Sequence, residues 1–210
     1  GADNPEETLR HLLQEHWQQL ATKYLDDNGV NILTAHLYVA KKGEELPEEP
    51  EDEKSILSVG NAQVIYSENL PSGLQYVALG HLHRRQTIDK RPYPVVYSSS
   101  PLAYSFNETN QQKFEVLIEA EAGTEVKRKN IPIQRGKRLL RSKFNSVDLA
   151  VEWLTNNRES LVEVTITSDT YLTAEERRRL NKAHEGIINI IPEIRFNADS
   201  AYPTTRQIDL

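Results

Sequence analysis

The stretch Tyr76-Val77-Ala78-Leu79-Gly80-His81-Leu82-His83 constrains this chain more than any other. A short apolar run closed by a glycine reads as a buried strand, since it is too brief for a helix and ends on a turn signal. If the backbone stays extended past Gly80, residues two apart share a face, so His81 and His83 point one way and Leu82 the other. Neutral imidazole is a ligand for zinc, manganese and iron, and the carboxyl end of a strand is where an open α/β sheet carries its site. The competing reading is a pair of surface or packing histidines.

A third histidine fits the same scheme. Val30-Asn31-Ile32-Leu33 reads as a short strand, and Thr34-Ala35-His36 follows it directly. His36 therefore lies past a strand's carboxyl end, as His81 does. Were the two strands neighbours in one sheet, His36, His81 and His83 would meet at one rim as three metal ligands. The alternative for His36 is a ring satisfied by a loop carbonyl.

Before these strands, Asn4-Pro5-Glu6-Glu7 offers a cap, a proline at the first helical position and an acid placed for a capping box. Leu9, Leu12, Leu13, Trp17, Leu20, Ala21, Tyr24 and Leu25 then recur at spacings of three and four, which predicts one apolar stripe on a long helix ended by Gly29. His11 and His16 lie on or beside that stripe and read as structural. Residues 41–54 hold prolines, a glycine and an acid block and read as a mobile loop, with a turn at Val59-Gly60-Asn61-Ala62. Val95-Val96-Tyr97 and Lys113 to Glu119 are further strand candidates. The serines of Ser98-Ser99-Ser100 have no base beside them in sequence, so a serine nucleophile is unsupported.

From about Ile131 the pattern changes. Ser146 caps a helix bearing Val147, Ala150, Val151 and Leu154, and Leu161 to Thr167 alternates like a half-buried strand. Thr173 and Glu176 form a capping box for a helix reaching His184, Gly186 ends it, and Ile187 to Ile191 is a strand. His184 is placed to complement the helix dipole. These elements predict an α+β unit over 121–196, after a first domain over 1–120 and before a tail over 197–210.

Charge is segregated. The formal net charge is -6, yet seven acids fall between Glu44 and Glu53, so the remainder is close to neutral. Between Lys127 and Lys143 stand eight bases and no acid. Arg84, Arg85, Lys90 and Arg91 add four bases beside the histidine pair. Phosphate contacts by Arg84, Arg85, Lys127, Arg128 and Lys129 are the functional reading, and solvated charge is the bland one. The absence of cysteine excludes a disulfide framework and thiolate ligands and suits a reducing compartment. No signal peptide or membrane-length apolar run is visible, which predicts a soluble, cytoplasmic chain. There is no Met in 210 residues, so the sequence reads as a fragment, with Gly1 the scar of a cleaved tag.

Three segments together resemble the SbcD-type nucleases, bacterial members of the calcineurin-like metallophosphoesterases. They are Asn31-Ile32-Leu33-Thr34-Ala35-His36, Tyr76 through His83 with Arg84, and Tyr97-Ser98-Ser99-Ser100-Pro101-Leu102. Gly-His-x-His is shared across the superfamily; Arg84 and Tyr-Ser-x-Ser-Pro-Leu narrow it to SbcD. The resemblance runs over about residues 5 to 195. It implies an αββα sandwich followed by a small α+β capping domain, with two manganese ions on the sheet rim. His36 and His81 would hold one ion and His83 would help hold the other. It further implies exonuclease and endonuclease hydrolysis of DNA ends in repair, recombination and replication, with an SbcC-type ATPase and as a homodimer.

Two departures stand out. The family's Asp-x-His, Gly-Asp and Gly-Asn-His-Asp motifs are absent and belong upstream of Asn4, so no catalytic residue is expected within this chain, which alone would bind metal weakly and cleave nothing. Ser99 replaces the family's usual glycine, which argues against a left-handed backbone at that turn. Two other readings compete: a metallophosphoesterase for small phosphate esters or cyclic nucleotides, and a non-catalytic DNA-positioning or partner-docking module.

Overall fold

The computed structural model describes residues 4–48 and 64–195. The chain divides into two compact units, Gly1–Gly136 and Lys137–Leu210. That division falls later than the expected 120/121 boundary because the strand formed by the first bases of the basic run pairs back into the first unit.

In the first unit α1 spans Pro5–Tyr24, capped by Asn4, whose Oδ1 accepts from the Glu6 N–H at 3.1 Å. The predicted stripe is only half covered. Leu13 and Trp17 pack on the core, whereas Leu12, Leu20 and Tyr24 are exposed. The helix stops before Gly29: Leu25 turns extended, and Asp26 Oδ1 gathers the Asn28 and Gly29 N–H groups in a local turn. Strands β1 (Ile32–His36), β4 (Tyr76–Gly80), β5 (Gln86–Asp89) and β6 (Val95–Tyr97) form one sheet in the order β1-β4-β6-β5. The β1-β4 and β4-β6 pairs are parallel and β5-β6 is antiparallel. Two short strands, β2 (Val39–Ala40) and β3 (Ile65–Tyr66), pair beside them. A hairpin of β7 (Phe114–Glu119) and β8 (Lys127–Pro132) completes the unit.

The core of this unit gathers Val39, Ile65, Leu70, Val77, Leu79, Leu82, Tyr93, Val95 and Tyr97. Its buried hydroxyls are all engaged, as the cost of burying an unpaired one requires. Tyr97 Oη donates to Leu37 O and accepts from the Val39 N–H, each at 2.7 Å. Tyr93 Oη donates to Pro71 O at 2.7 Å. Burial, helped by nearby Asp89, pushes the Tyr93 phenol up from 10.0 to about 12. A folded-state value above the unfolded one means that this stabilisation is complete below pH 10 and is lost as the pH climbs towards about 12. At about pH 11.5, still short of the folded value, the loss should reach at most about 2 kcal/mol. Urea midpoints measured at about pH 9 and about pH 11.5 should fall accordingly, and Tyr93→Phe should remove that part of the fall.

The second unit runs β9 (Arg138–Phe144), α2 (Val147–Asn156), β10 (Ser160–Ser168), α3 (Ala174–Ala183) and β11 (Ile187–Ile194). The caps are the expected ones: Ser146 accepts from Asp148 N–H, and Thr173 and Glu176 form their reciprocal box. The sheet order is β11-β10-β9 with both pairs parallel, so each helix is a crossover and the unit is α/β rather than α+β. That topology puts β10 in the centre, and it is largely buried rather than alternating. Val147, Ala150, Leu154, Val162, Val164, Ile166 and Leu180 fill the core.

Among the described residues no helix is long and apolar enough to cross a membrane. The turn at Val59–Ala62 and the tail 197–210 lie outside the described residues, as does most of the acid block.

Candidate functional site

Parallel pairing sets β1 directly beside β4, with His36 opposite Gly80. Both strands therefore end at the same rim, and the rings of His36 and His81 stand edge to face with centroids 5.5 Å apart. Gly80 eases the approach. A β-carbon on it would lie 3.0 Å from His36 Nδ1, tight enough to push the ring back by a few tenths of an ångström.

The strand does not continue extended through the histidine pair. It stops at Gly80, and His81 takes φ 115°, a left-handed conformation unusual for a side chain of this size. Leu82 is nevertheless buried while the flanking histidines are only partly so, so the apolar residue still enters the core. The turn aims His81 towards His36 and Tyr38, whose ring lies 6.0 Å from it. His83 instead faces Tyr104, 5.5 Å between centroids, and hydrogen-bonds through Nδ1 to Glu108 Oε1 at 3.1 Å. The three rings are thus arranged as a pair and a third with its own carboxylate. Among the described residues no group of three or more His, Asp, Glu or Cys side chains lies close enough to hold an ion.

Glu108 and Lys113 were not singled out by sequence, and they are the most unusual residues here. Glu108 is 1% exposed and Lys113 6%, and they form a buried ion pair. Lys113 Nζ also donates to His83 O at 3.0 Å and to Ser100 Oγ at 2.9 Å. Glu108 Oε1 further accepts the Tyr104 and Ser105 N–H groups at 3.1 and 3.2 Å. Burial pushes the Glu108 carboxyl up, but hydrogen bonds from Lys113, His83 and Tyr104 outweigh it and hold the group below its ordinary value. The only sequence signal was Ser105-x-x-Glu108, a capping-box spacing on the short 3-10 turn Phe106–Glu108.

Ser99 adopts φ 102° despite its side chain, so the turn keeps the left-handed form that the serine argued against. Its hydroxyl supplies the compensation. Oγ accepts from the Phe114 N–H at 2.9 Å and lies 3.1 Å from Phe114 O and 3.0 Å from Ser100 O.

The bases are dispersed. Arg84 is exposed and meets Glu48 at 3.5 Å, a pairing worth little in solvent. Arg85 donates to Asn130 Oδ1 on β8 and to Thr87 Oγ1. Lys127, Arg128 and Lys129 lie on β8, exposed along its whole length. Arg141 and Lys143 stand on β9 in the other unit and pair with Glu163 and Glu193. His11 pairs with Glu15 at 3.3 Å on the surface of α1.

No family model matches the chain. Over 183 residues it is 34% identical to the SbcD subunit of the SbcCD nuclease of Bacillus subtilis, covering 86% of this chain and 45% of that protein. It is 30% identical over 125 residues to the SbcD subunit from Escherichia coli K12, covering 57% of this chain and 31% of that one. The SbcD subunit from Staphylococcus epidermidis is 32% identical over 119 residues, covering 57% of this chain and 29% of its own length. The chain spans less than half the length of the curated relatives it matches.

Proposed function

With the chain placed as an SbcD-type nuclease fragment, we propose that it supplies part of the metal rim and the DNA-facing surface of a metal-dependent DNA nuclease. His36 and His81 hold one divalent ion and His83 helps hold a second. The observation that carries this reading is the convergence of the His36 and His81 rings at the shared end of two parallel strands, 5.5 Å apart. A donor set of imidazoles without thiolate fits manganese or a similar borderline ion. Such ions, when bound, activate water and neutralise the scissile phosphate.

The chain's own residues orient those ligands: Gly80 eases the approach of His36 to His81, and Glu108 fixes His83. The carboxylate ligands belong to motifs that this sequence lacks, so the chain by itself cleaves nothing. The whole protein hydrolyses phosphodiesters at DNA ends in repair, alongside an SbcC-type ATPase and in the cytoplasm. Its phosphoesterase part is the αββα sandwich of that family, and the second unit is its cap. Lys127, Arg128 and Lys129 on exposed β8, with Arg84 and Arg85, contact phosphates.

In the full-length protein, His36→Ala, His81→Ala and His83→Ala should each weaken Mn²⁺ binding by roughly 10- to 100-fold. Each should also lower cleavage of duplex ends by more than affinity alone explains. Unchanged Mn²⁺ affinity in all three would overturn the assignment. Lys127→Ala or Lys129→Ala should weaken duplex binding and flatten its salt dependence by about one phosphate contact. A salt slope unaltered by either change would remove β8 from the interface.

A further inference from the structure

We propose that Glu108, anchored by Lys113, is a positioning residue that fixes the His83 imidazole with its proton on Nδ1 and its Nε2 lone pair directed to a divalent cation. The proposal rests on reading His83 as a metal ligand. The geometry grips that residue at both ends. Its ring is hydrogen-bonded to Glu108 Oε1 at 3.1 Å. Its carbonyl accepts from Lys113 Nζ at 3.0 Å and from the Ser100 N–H at 3.2 Å.

Glu108 itself has no freedom to drift. Its Oε1 also takes the Tyr104 and Ser105 N–H groups, and its Oε2 takes Lys113 and the Ser100 hydroxyl. A carboxylate that accepts from backbone N–H groups and an ammonium has no proton to offer Nδ1, so the imidazole must be the donor. In the neutral ring the lone pair then resides on Nε2, the tautomer that coordinates through that atom. Burying two opposite charges is costly, and the Tyr104 and Ser105 N–H groups and the His83 carbonyl that the pair also serves call for polar partners, not for charged ones. Orientation of a ligand by an outer carboxylate is a use that does call for charge.

The test uses the full-length protein with ¹⁵N-labelled histidine, in which long-range proton–nitrogen correlation reads each ring's tautomer. Mn²⁺ affinity is measured in parallel from the paramagnetic resonance of free Mn²⁺. Wild type should show His83 as the Nδ1–H form. The double replacement Glu108→Met with Lys113→Met leaves no lone buried charge and fills the space with adaptable side chains. It should stay folded, give a mixture of His83 tautomers, and bind Mn²⁺ roughly 10- to 100-fold more weakly. Should methionine pack badly, Glu108→Leu with Lys113→Leu provides the same readouts. Glu108→Gln combined with Lys113→Met keeps an acceptor oxygen towards His83 Nδ1 and the Tyr104 and Ser105 N–H groups without a stranded ammonium, and should preserve the Nδ1–H form.

A folded double variant whose His83 remains in the Nδ1–H form with unaltered affinity would overturn the proposal. His83→Ala separates this from the premise. Full Mn²⁺ affinity in that variant would reject His83 as a ligand, while the tautomer readout would still judge what Glu108 does to the ring.

Discussion

Replacing Glu108 alone by leucine is expected to cost about 3–5 kcal/mol of folding stability, because the change strands the Lys113 ammonium in a site closed to water. Lys113 is 6% exposed, and its remaining partners are neutral oxygens: His83 O, Ser100 Oγ and Gln111 Oε1. Neutral acceptors soften the loss of a counter-charge without replacing it. The reverse change, Lys113→Leu, leaves a carboxylate that still holds two backbone N–H groups and the His83 ring. It should cost less. Replacing both should bring stability most of the way back, since an apolar pair of similar volume spares two desolvations. Urea midpoints for the four members of this cycle give the coupling directly. A Glu108→Leu loss below about 1 kcal/mol would show that the ammonium escapes to solvent and that the pair is not truly buried.

That pair also shows where sequence reasoning ran out. Asn107-Glu108-Thr109-Asn110-Gln111-Gln112 is polar throughout and reads as solvated loop, and Lys113 reads only as the polar first residue of the strand that follows. Burial of Glu108 and Lys113 is decided by β7 and the His83 turn folding over them, which no local spacing records. Strand β8 was hidden for a related reason. Lys127-Arg128-Lys129-Asn130 has neither alternation nor β-branched residues, and it is extended because each residue pairs with β7. Strands with their own apolar signal were legible. Tyr76–Gly80 and Val95–Tyr97 are where the pattern put them. The meeting of His36 and His81 was conditional on β1 lying next to β4, and strand order is a tertiary fact. Once that order holds, the parallel register opposite Gly80 makes the rest unavoidable. The positive φ at His81 and Ser99 could not be read, because the glycine rule speaks of preference and both residues are held by contacts made elsewhere.

Gly186→Ala is expected to lower stability by about 3 kcal/mol, although its backbone is one that alanine adopts freely. Sequence marks this glycine as the end of the helix, but α3 ends two residues earlier on an extended His184, and Gly186 has no positive φ. What it provides is space. A β-carbon there would stand 2.4 Å from Ser160 O and 2.8 Å from His184 Cε1. The first of these is backbone at the start of the central strand and cannot swing aside. Moving Gly186 instead breaks two bonds at once: its N–H to His184 Nδ1 and its carbonyl to the Val162 N–H, both at 2.8 Å.

His184, 3% exposed, also donates through Nε2 to Asn157 O at 2.9 Å, so its ring is a neutral bridge joining the ends of α2 and α3. A bridge that accepts on one nitrogen and donates on the other cannot be the cation that would complement a helix dipole. The alanine methyl therefore disturbs strand pairing and helix closure together. Trp153 reports on this unit through its contact with Phe144, and a Trp17→Phe background removes the other tryptophan. In that background the urea transition of Gly186→Ala should move well below its parent. An unmoved midpoint would mean that β10 yields to the methyl, and that the close approach at Ser160 is not what the glycine is there to permit.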